Sequence, residues 1–407
     1  MNTKQLLLAG VFLLGGATYA QQIQTNNTTG LGVNNGAVTF TTATQGNNST
    51  YLGAESGAYA DPTTTGGNTF VGTRSGRGNA TGAKNTGILN TFIGFESGFN
   101  ITSGSRNAFF GNTAGRSTTE GINNTYIGSE AGYSNTTGAS NTYLGQKAGN
   151  LNTAGGSNVF VGAEAGSIST AGSFKICIGH YAGIANNSDA NVFIGHGSGS
   201  NNVNGYSNTF IGHLSGNNGS GSNNVFLGQG AGQSASGDGN VFIGPGAGYG
   251  ANMSGKLLIS TSATPLVYGD FLSGKVGIGG LTTFPATAGS VSVANYRLFV
   301  KGGILTEEAR IQLQSGWADY VFAKDYKLPS LTEVEQFIAI NGHLPNVPSA
   351  AEVKADGIEL GNMARIQQEK IEELTLYAIA QDKKIDQQQK EIDELKAAVK
   401  MLLADKK

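Results

Sequence analysis

The sequence predicts a mainly β protein: a parallel β-roll or β-solenoid body, then a short α-rich neck, then a C-terminal coiled coil. Three observations carry this. The phrase Asn124-Thr125-Tyr126-Ile127-Gly128-Ser129-Glu130-Ala131-Gly132 recurs in variants twelve times, its anchor glycine running from Gly53 to Gly244 with steps of 16 or 17 residues from Gly94 onward. A unit that short cannot bury an apolar face alone, so each copy must stack on its neighbours. Composition then shifts near residue 300: residues 1–300 hold 20 charged side chains and the last 107 hold 32, while only 6 of 64 glycines lie beyond Lys301. With no Gly-X-Y period, this is neither collagen nor an ordinary core, but a glycine-rich body joined to a charged, helix-prone tail. The third observation is a run of apolar heptads from Met363.

In chain order, residues 1–20 read as a cleaved secretory signal, with Lys4, the apolar run Leu6 to Leu14 and small residues ending at Ala20. That run is too short to span a bilayer, and no other stretch approaches the roughly 20 apolar residues required. The mature chain is therefore expected to be exported, without a membrane span, to the extracellular space or the surface of a bacterial envelope. A net charge of -2 leaves no clustered basic face, which argues against nucleic acid as a partner. Residues 21–48 form a predicted N-terminal cap or linker and 49–250 the twelve-repeat body.

Within Asn-Thr/Val-Phe/Tyr-Ile/Val/Leu-Gly, strand alternation puts the Thr/Val and aliphatic columns on one face and the Asn and aromatic columns on the other. Both faces are substantially apolar, so one is expected to line the coil interior and the other a subunit interface. The pattern leaves open which is which. Asparagine fills the first column in ten copies, with Ser49 and Lys175 as the exceptions, and predicts a ladder of side-chain amides bonding along the stack. The lone Cys177 cannot close an internal disulfide and occupies the aromatic column, where packing explains it.

The Gly-x-x-Ala/Ser-Gly segment suits tight turns at positive φ. A phosphate-cradling loop, for instance at Gly244-Pro245-Gly246-Ala247-Gly248, would need a strand, a helix and a βαβ unit that this pattern lacks. Two columns after the anchor glycine, Glu55, Arg74 and Glu96, and later Glu130, Lys147 and Glu164, predict surface ion-pair ladders of ~0.2–1 kcal/mol per pair. One column after it, His180, His196 and His213 stand on three consecutive repeats. Stacked imidazoles are a candidate transition-metal site, against the plainer reading of recurring turn residues, since no carboxylate or cysteine completes the set. No catalytic, cofactor-binding or metal-binding residue is assigned, and no cofactor is called for.

At Asn-Thr/Val-aromatic-Ile-Gly the chain resembles the head repeats of trimeric autotransporter adhesins. The resemblance covers about half the chain and implies a left-handed parallel β-roll with three chains side by side. With two short strands or strand-turn segments per turn, twelve turns would stack to roughly 55 Å.

Residues 251–300 read as a β transition or cap, with strand-like runs at 256–260, 265–271 and 297–300, closing the open end of the stack. The phrases Pro265-Leu266-Val267-Tyr268-Gly269-Asp270-Phe271 and Gly274-Lys275-Val276-Gly277-Ile278-Gly279 resemble the region before the C-terminal end of phage tail-fibre-like proteins. Residues 301–362 form a small α-rich neck. In it, Trp317 to Phe322 is a packed segment, and Ser330-Leu331-Thr332-Glu333 and Ser349-Ala350-Ala351-Glu352 are capping boxes ahead of Gly342 and Gly357. Residues 363–407 predict a parallel coiled coil, with Ala364, Ile371, Ala378, Ile385, Ile392 and Val399 at a and Gln367, Leu374, Gln381, Gln388, Leu395 and Leu402 at d. Ile or Val at a with Leu at d favours two strands, but the three glutamines at d and the shared symmetry of the body point to three.

The functional expectation is a non-catalytic, exported, homotrimeric fibre, adhesin-like or tail-fibre-like, that displays repeated surfaces to glycans, cell surfaces or matrix. The alternative is a β-helical polysaccharide-degrading enzyme, which needs convergent carboxylates where this body has dispersed or paired ones. A self-cleaving serine and lysine pair is not expected ahead of the tail. Ice binding is disfavoured because Thr91, Thr125, Thr142 and Thr209 read as half-buried.

Overall fold

Each repeat contributes one strand of three residues, and successive strands pair in parallel from β3 (Thr50–Leu52) to β14 (Val241–Ile243). The computed structural model describes residues 29–34, 37–39, 48–79, 84–261, 264–313 and 316–404, so the predicted signal at 1–20 lies outside the described residues. The chain forms two compact units, Met1–Thr282 with Arg297–Lys301, and Thr283–Tyr296 with Gly302–Lys407.

Where two strand-like segments per turn were expected, one strand forms, and the backbone explains why. The second residue after the anchor glycine, as in Glu55, Glu130 and Lys147, and the residue before the column asparagine, as in Asn123, Ser140 and Ser157, sit at φ between 56° and 59°. An L-residue held there cannot continue a strand, so the chain bends at these two positions in addition to the anchor and closing glycines, as at Gly128 and Gly132, with φ of 137° and 59°. Upstream, β1 (Thr29–Asn34) pairs in parallel with β3 and antiparallel with β2 (Ala37–Thr39).

The Asn and aromatic columns face inward, which answers the question the pattern left open. Asn124 is fully buried; its Oδ1 accepts the Asn141 backbone N–H at 2.9 Å, and its Nδ2 donates to the Gly138 carbonyl at 2.8 Å. The same two bonds repeat up the column, so the amides mainly satisfy backbone groups that three-residue strands leave unpaired. Beside them the rings of Tyr51, Phe70, Phe92, Phe109, Tyr126, Tyr143 and Phe160 stack at centroid separations of 4.6–5.1 Å. The stack breaks at Cys177, which is buried as expected, and resumes from Phe193 to Phe242.

After β14 the chain adds one more parallel strand, β15 (Lys256–Ile259), then reverses into antiparallel β16 (Val267–Asp270) and β17 (Lys275–Ile278). In the second unit, β18 (Thr287–Ala288) and β19 (Val291–Ser292) form a hairpin that the sequence did not signal. β20 (Leu298–Val300) returns to pair in parallel with β17 in the first unit.

Both capping boxes form. Ser330 Oγ accepts the Glu333 N–H at 3.3 Å while the Glu333 carboxylate accepts the Ser330 N–H at 2.7 Å, opening α1 (Leu331–Asn341), and Ser349 with Glu352 opens α2 (Ala350–Asp356). Gly342 ends α1 in the left-handed conformation. The long helix α3 (Leu360–Ala404) begins three residues before Met363. Among the described residues, no helix is long and apolar enough to cross a membrane.

Candidate interaction surfaces

With rings and amides inside, the Thr/Val and aliphatic columns form the outer face of the sheet. None of Leu52, Ile93, Ile127, Leu144, Ile178 and Leu227 is buried; Leu227 is 46% exposed. At one ~4.8 Å sheet spacing per rung, this is an apolar strip roughly 55 Å long on a strand about 10 Å wide. Thr91, Thr125 and Thr209 beside it are half-buried, while Thr142 is exposed.

A second band lies on the N-terminal rungs. Arg74 reaches Glu55 at 3.3 Å and Glu96 at 3.1 Å, so the first predicted charge ladder forms. What reinforces it lies outside that column: Arg77 also pairs with Glu55 at 2.9 Å and Arg116 with Glu96 at 2.8 Å, and both guanidiniums lie over aromatic rings. Arg77 covers Tyr59 and Phe99 at 4.8 and 5.2 Å, and Arg116 covers Phe99 and Tyr133 at 4.9 and 5.7 Å. The signal was present as Arg77, Phe99, Arg116 and Tyr133, each five residues after its anchor glycine.

Burial alone would raise the Glu96 carboxyl, but hydrogen bonds from Arg116 and Arg74 outweigh it and hold the group below its ordinary value. Arg116→Ala is expected to cost about 1 kcal/mol, less in high salt, because it removes one partly screened pair and two cation–π contacts. Denaturant titration at low and high salt checks this.

The second predicted ladder does not form. Among the described residues Glu130, Lys147 and Glu164 make no ion pair, and Glu130 instead accepts from the Asn150 amide at 3.3 Å. Without a second tier of arginines to lock the carboxylates between rungs, these half-buried side chains at the bend do not pair with one another.

His180, His196 and His213 are exposed; His196 and His213 stack at a centroid separation of 5.2 Å, and His180 is tilted by 44° to His196 at 5.3 Å. Ring nitrogens direct their lone pairs in the ring plane, so the stacked rings of His196 and His213 do not aim them at a shared point. Among the described residues, no group of three or more His, Cys, Asp or Glu is placed to hold a metal ion.

Lys175, the charged exception in the asparagine column, is buried inside the coil. Its Nζ donates to Ser169 Oγ at 2.5 Å, to the Ala171 carbonyl at 2.6 Å and to the Asn186 carbonyl at 2.8 Å. It lies 5.6 Å from the Phe160 ring centroid, next to the gap that Cys177 leaves in the aromatic stack. Burial pulls Lys175 down to about 8 and pushes the Cys177 thiol up to about 12. Ser169 and Lys175 are in contact, but both are fully buried, so no external substrate reaches them.

In the second unit, residues around the 3₁₀ turn Ala318–Phe322 pack on the first turns of α3. Tyr320 and Tyr326 donate to the carboxylates of Glu369 and Glu373, the latter at 2.5 Å, Asn346 Nδ2 donates to Glu369 at 3.3 Å, and Lys370 bridges the two acids at 2.9 Å each. Burial would raise the Glu369 carboxyl, but Tyr320, Lys370 and Asn346 hold it below its usual value. The covered residues Ile366, Glu369, Glu372 and Glu373 occupy heptad positions c, f, b and c, whereas every a and d residue from Ala364 to Leu402 is exposed. The neck thus shields the back of the helix and leaves its apolar seam open.

Comparison of the chain with models of known protein families, with curated proteins and with solved structures found no match.

Proposed function

We propose that this chain is an exported, non-catalytic fibrous surface protein, adhesin-like or tail-fibre-like, that assembles as a homotrimer and acts by multivalent display. The observation that carries the reading is the α3 seam: Ile371, Leu374, Ile385, Ile392, Leu395 and Val399 lie in solvent along one face of a 45-residue helix. Covering such a seam with sister helices is what a coiled coil does. The outer strip of the body supports the same reading, since it gives left-handed rungs of three chains an apolar face to share. Three identical rods convert weak contacts with glycans, cell surfaces or matrix into avidity. The engagement of Glu55 and Glu96 by arginines supports a passive rod over a glycan-cleaving enzyme, which requires carboxylates free to exchange protons.

Light scattering on the mature chain, with and without residues 363–407, tests the assembly. The full chain is expected at the mass of three copies. Ile385→Asp with Ile392→Asp is expected to weaken association at least ~100-fold, because two carboxylates would be desolvated in every seam. Monomers for both the full and the shortened chain would overturn the proposal.

A further inference from the structure

The last rung of the body has no successor over its turn, and the space left there is a pocket. In each earlier rung the glycine that closes the turn donates its N–H to a carbonyl of the next one: Gly216 to Ala231 and Gly232 to Ala247, both at 2.8 Å. On the twelfth rung the equivalent donor is Gly248. There β15 continues the sheet but the chain then reverses into β16, so no thirteenth turn follows. Among the described residues no backbone carbonyl takes the Gly248 N–H.

That donor borders a cavity of about 590 Å³ lined by twelve residues, none of them charged. Leu258, Met253 and Ala251 supply apolar walls, and Thr261 and Thr282 supply hydroxyls, while the buried Ser260 hydroxyl donates to the Thr264 carbonyl at 3.3 Å. Tyr249 stands at the mouth, 66% exposed, between Gly248 and Gly250, both in the left-handed conformation. A Cβ placed on Gly246 or Gly250 meets nothing within 4 Å, whereas one on Gly197, the counterpart of Gly246 three rungs earlier, meets Leu214 of the next rung at 2.7 Å. The counterpart one rung earlier, Gly230, meets only Gln233 of its own rung, at 3.4 Å, so this column of the turn opens over the last two rungs of the stack.

We infer that this pocket binds a neutral saccharide bearing an acetamido group. The group missing above Gly248 is an amide carbonyl, which an acetamido substituent supplies, and its methyl suits the wall of Leu258 and Met253. The sugar's C–H face suits the exposed Tyr249 ring, and its hydroxyls suit the hydroxyl-bearing rim. The absence of charge in the lining disfavours an ionic ligand, and the volume lies in the range of small-ligand sites. An extended peptide is disfavoured, since β15 already occupies the sheet edge it would pair with. The inference rests on the glycan-display reading and names the sugar class for one site.

The test is calorimetric or NMR titration of the full chain with N,N′-diacetylchitobiose, cellobiose and a blocked dipeptide. Saturable binding of diacetylchitobiose with a Kd of roughly 0.1–1 mM is expected, with cellobiose and the dipeptide at least ~10-fold weaker. Tyr249→Ala is expected to weaken binding at least ~10-fold and Tyr249→Phe to keep it, with thermal melting and assembled mass unchanged in both. No saturable binding, equal or tighter binding of cellobiose or the dipeptide, or an unaffected Tyr249→Ala chain would each overturn the inference. Sugar binding retained by a monomeric chain would instead remove the fibre reading and leave the pocket standing.

Discussion

Gly128→Ala is expected to destabilise the middle of the body by roughly 4 kcal/mol, whereas Gly239→Asn stays within about 1 kcal/mol of the parent. Gly128 sits at φ 137°, a region other residues rarely enter, and an added Cβ would lie 2.4 Å from the Gly145 carbonyl oxygen of the next rung. Both partners of that collision are backbone. Gly128 donates to the Phe110 carbonyl and Gly145 to the Ile127 carbonyl, each at 2.8 Å, so relieving the clash breaks bonds on two rungs. Gly239 also has positive φ, at 67°, but a Cβ there meets nothing within 4 Å, and Asn223 holds the matching position one rung earlier at φ 59°.

Because a stack of repeats need not unfold in one step, hydrogen exchange resolved by rung is the measurement to use with thermal melting. Lost protection centred on residues 108–146 in Gly128→Ala, and not in Gly239→Asn, is the expected pattern. Equal effects of the two substitutions would show that rung spacing does not depend on this close approach.

That contrast also explains how much could be read from residue order. The period, the glycine bends, the two capping boxes and the long C-terminal helix follow from residue types whose physics is local: a missing Cβ, a short side-chain acceptor, an apolar residue every third or fourth position. The direction in which the strand faces is not local, since Tyr126 and Ile127 are both apolar and either could line a coil. What decides it is the neighbouring column, because Asn124 reaches the Gly138 carbonyl only from inside. The band of Arg77, Phe99, Arg116 and Tyr133 was hidden for a related reason: its members alternate between cation and ring, so no column shows a constant residue type. The end pocket was illegible because it comes from a rung that does not exist. Gly244-Pro245-Gly246-Ala247-Gly248 follows the same Gly-x-x-Ala/Ser-Gly pattern as the other turns of the body, and its distinct character comes from what fails to cover it.

Stability is expected to rise with pH between about 8 and 10.5 by roughly 3 kcal/mol in the parent chain relative to Lys175→Met. The Lys175 Nζ lies inside the coil among three oxygens, and burial lowers its proton affinity from 10.5 in an unfolded chain to about 8. Across that window the unfolded state binds more protons than the folded one, so the penalty of burying a charge is full below pH 8. It fades as pH rises towards 10.5. Methionine has similar length and no charge, so a chain carrying it lacks this contribution.

Two other groups interact electrostatically with Lys175, the thiol of Cys177 and the carboxylate of Asp189. Cys177 works in the opposite sense, since its pKa rises from 9.0 to about 12 on burial and its contribution to stability is lost above pH 9. Cys177 and Asp189 are present in both chains, so to first order their own titrations cancel in the difference. Denaturant unfolding of the parent and of Lys175→Met at pH 7.5 and 10.5 provides the comparison. A parallel pH dependence in the two chains would mean that water reaches the amine. A gap that narrows by roughly 3 kcal/mol, or reverses sign, at high pH means that the eighth rung carries a buried ammonium at neutral pH, held by Ser169, Ala171 and Asn186 in place of the usual amide.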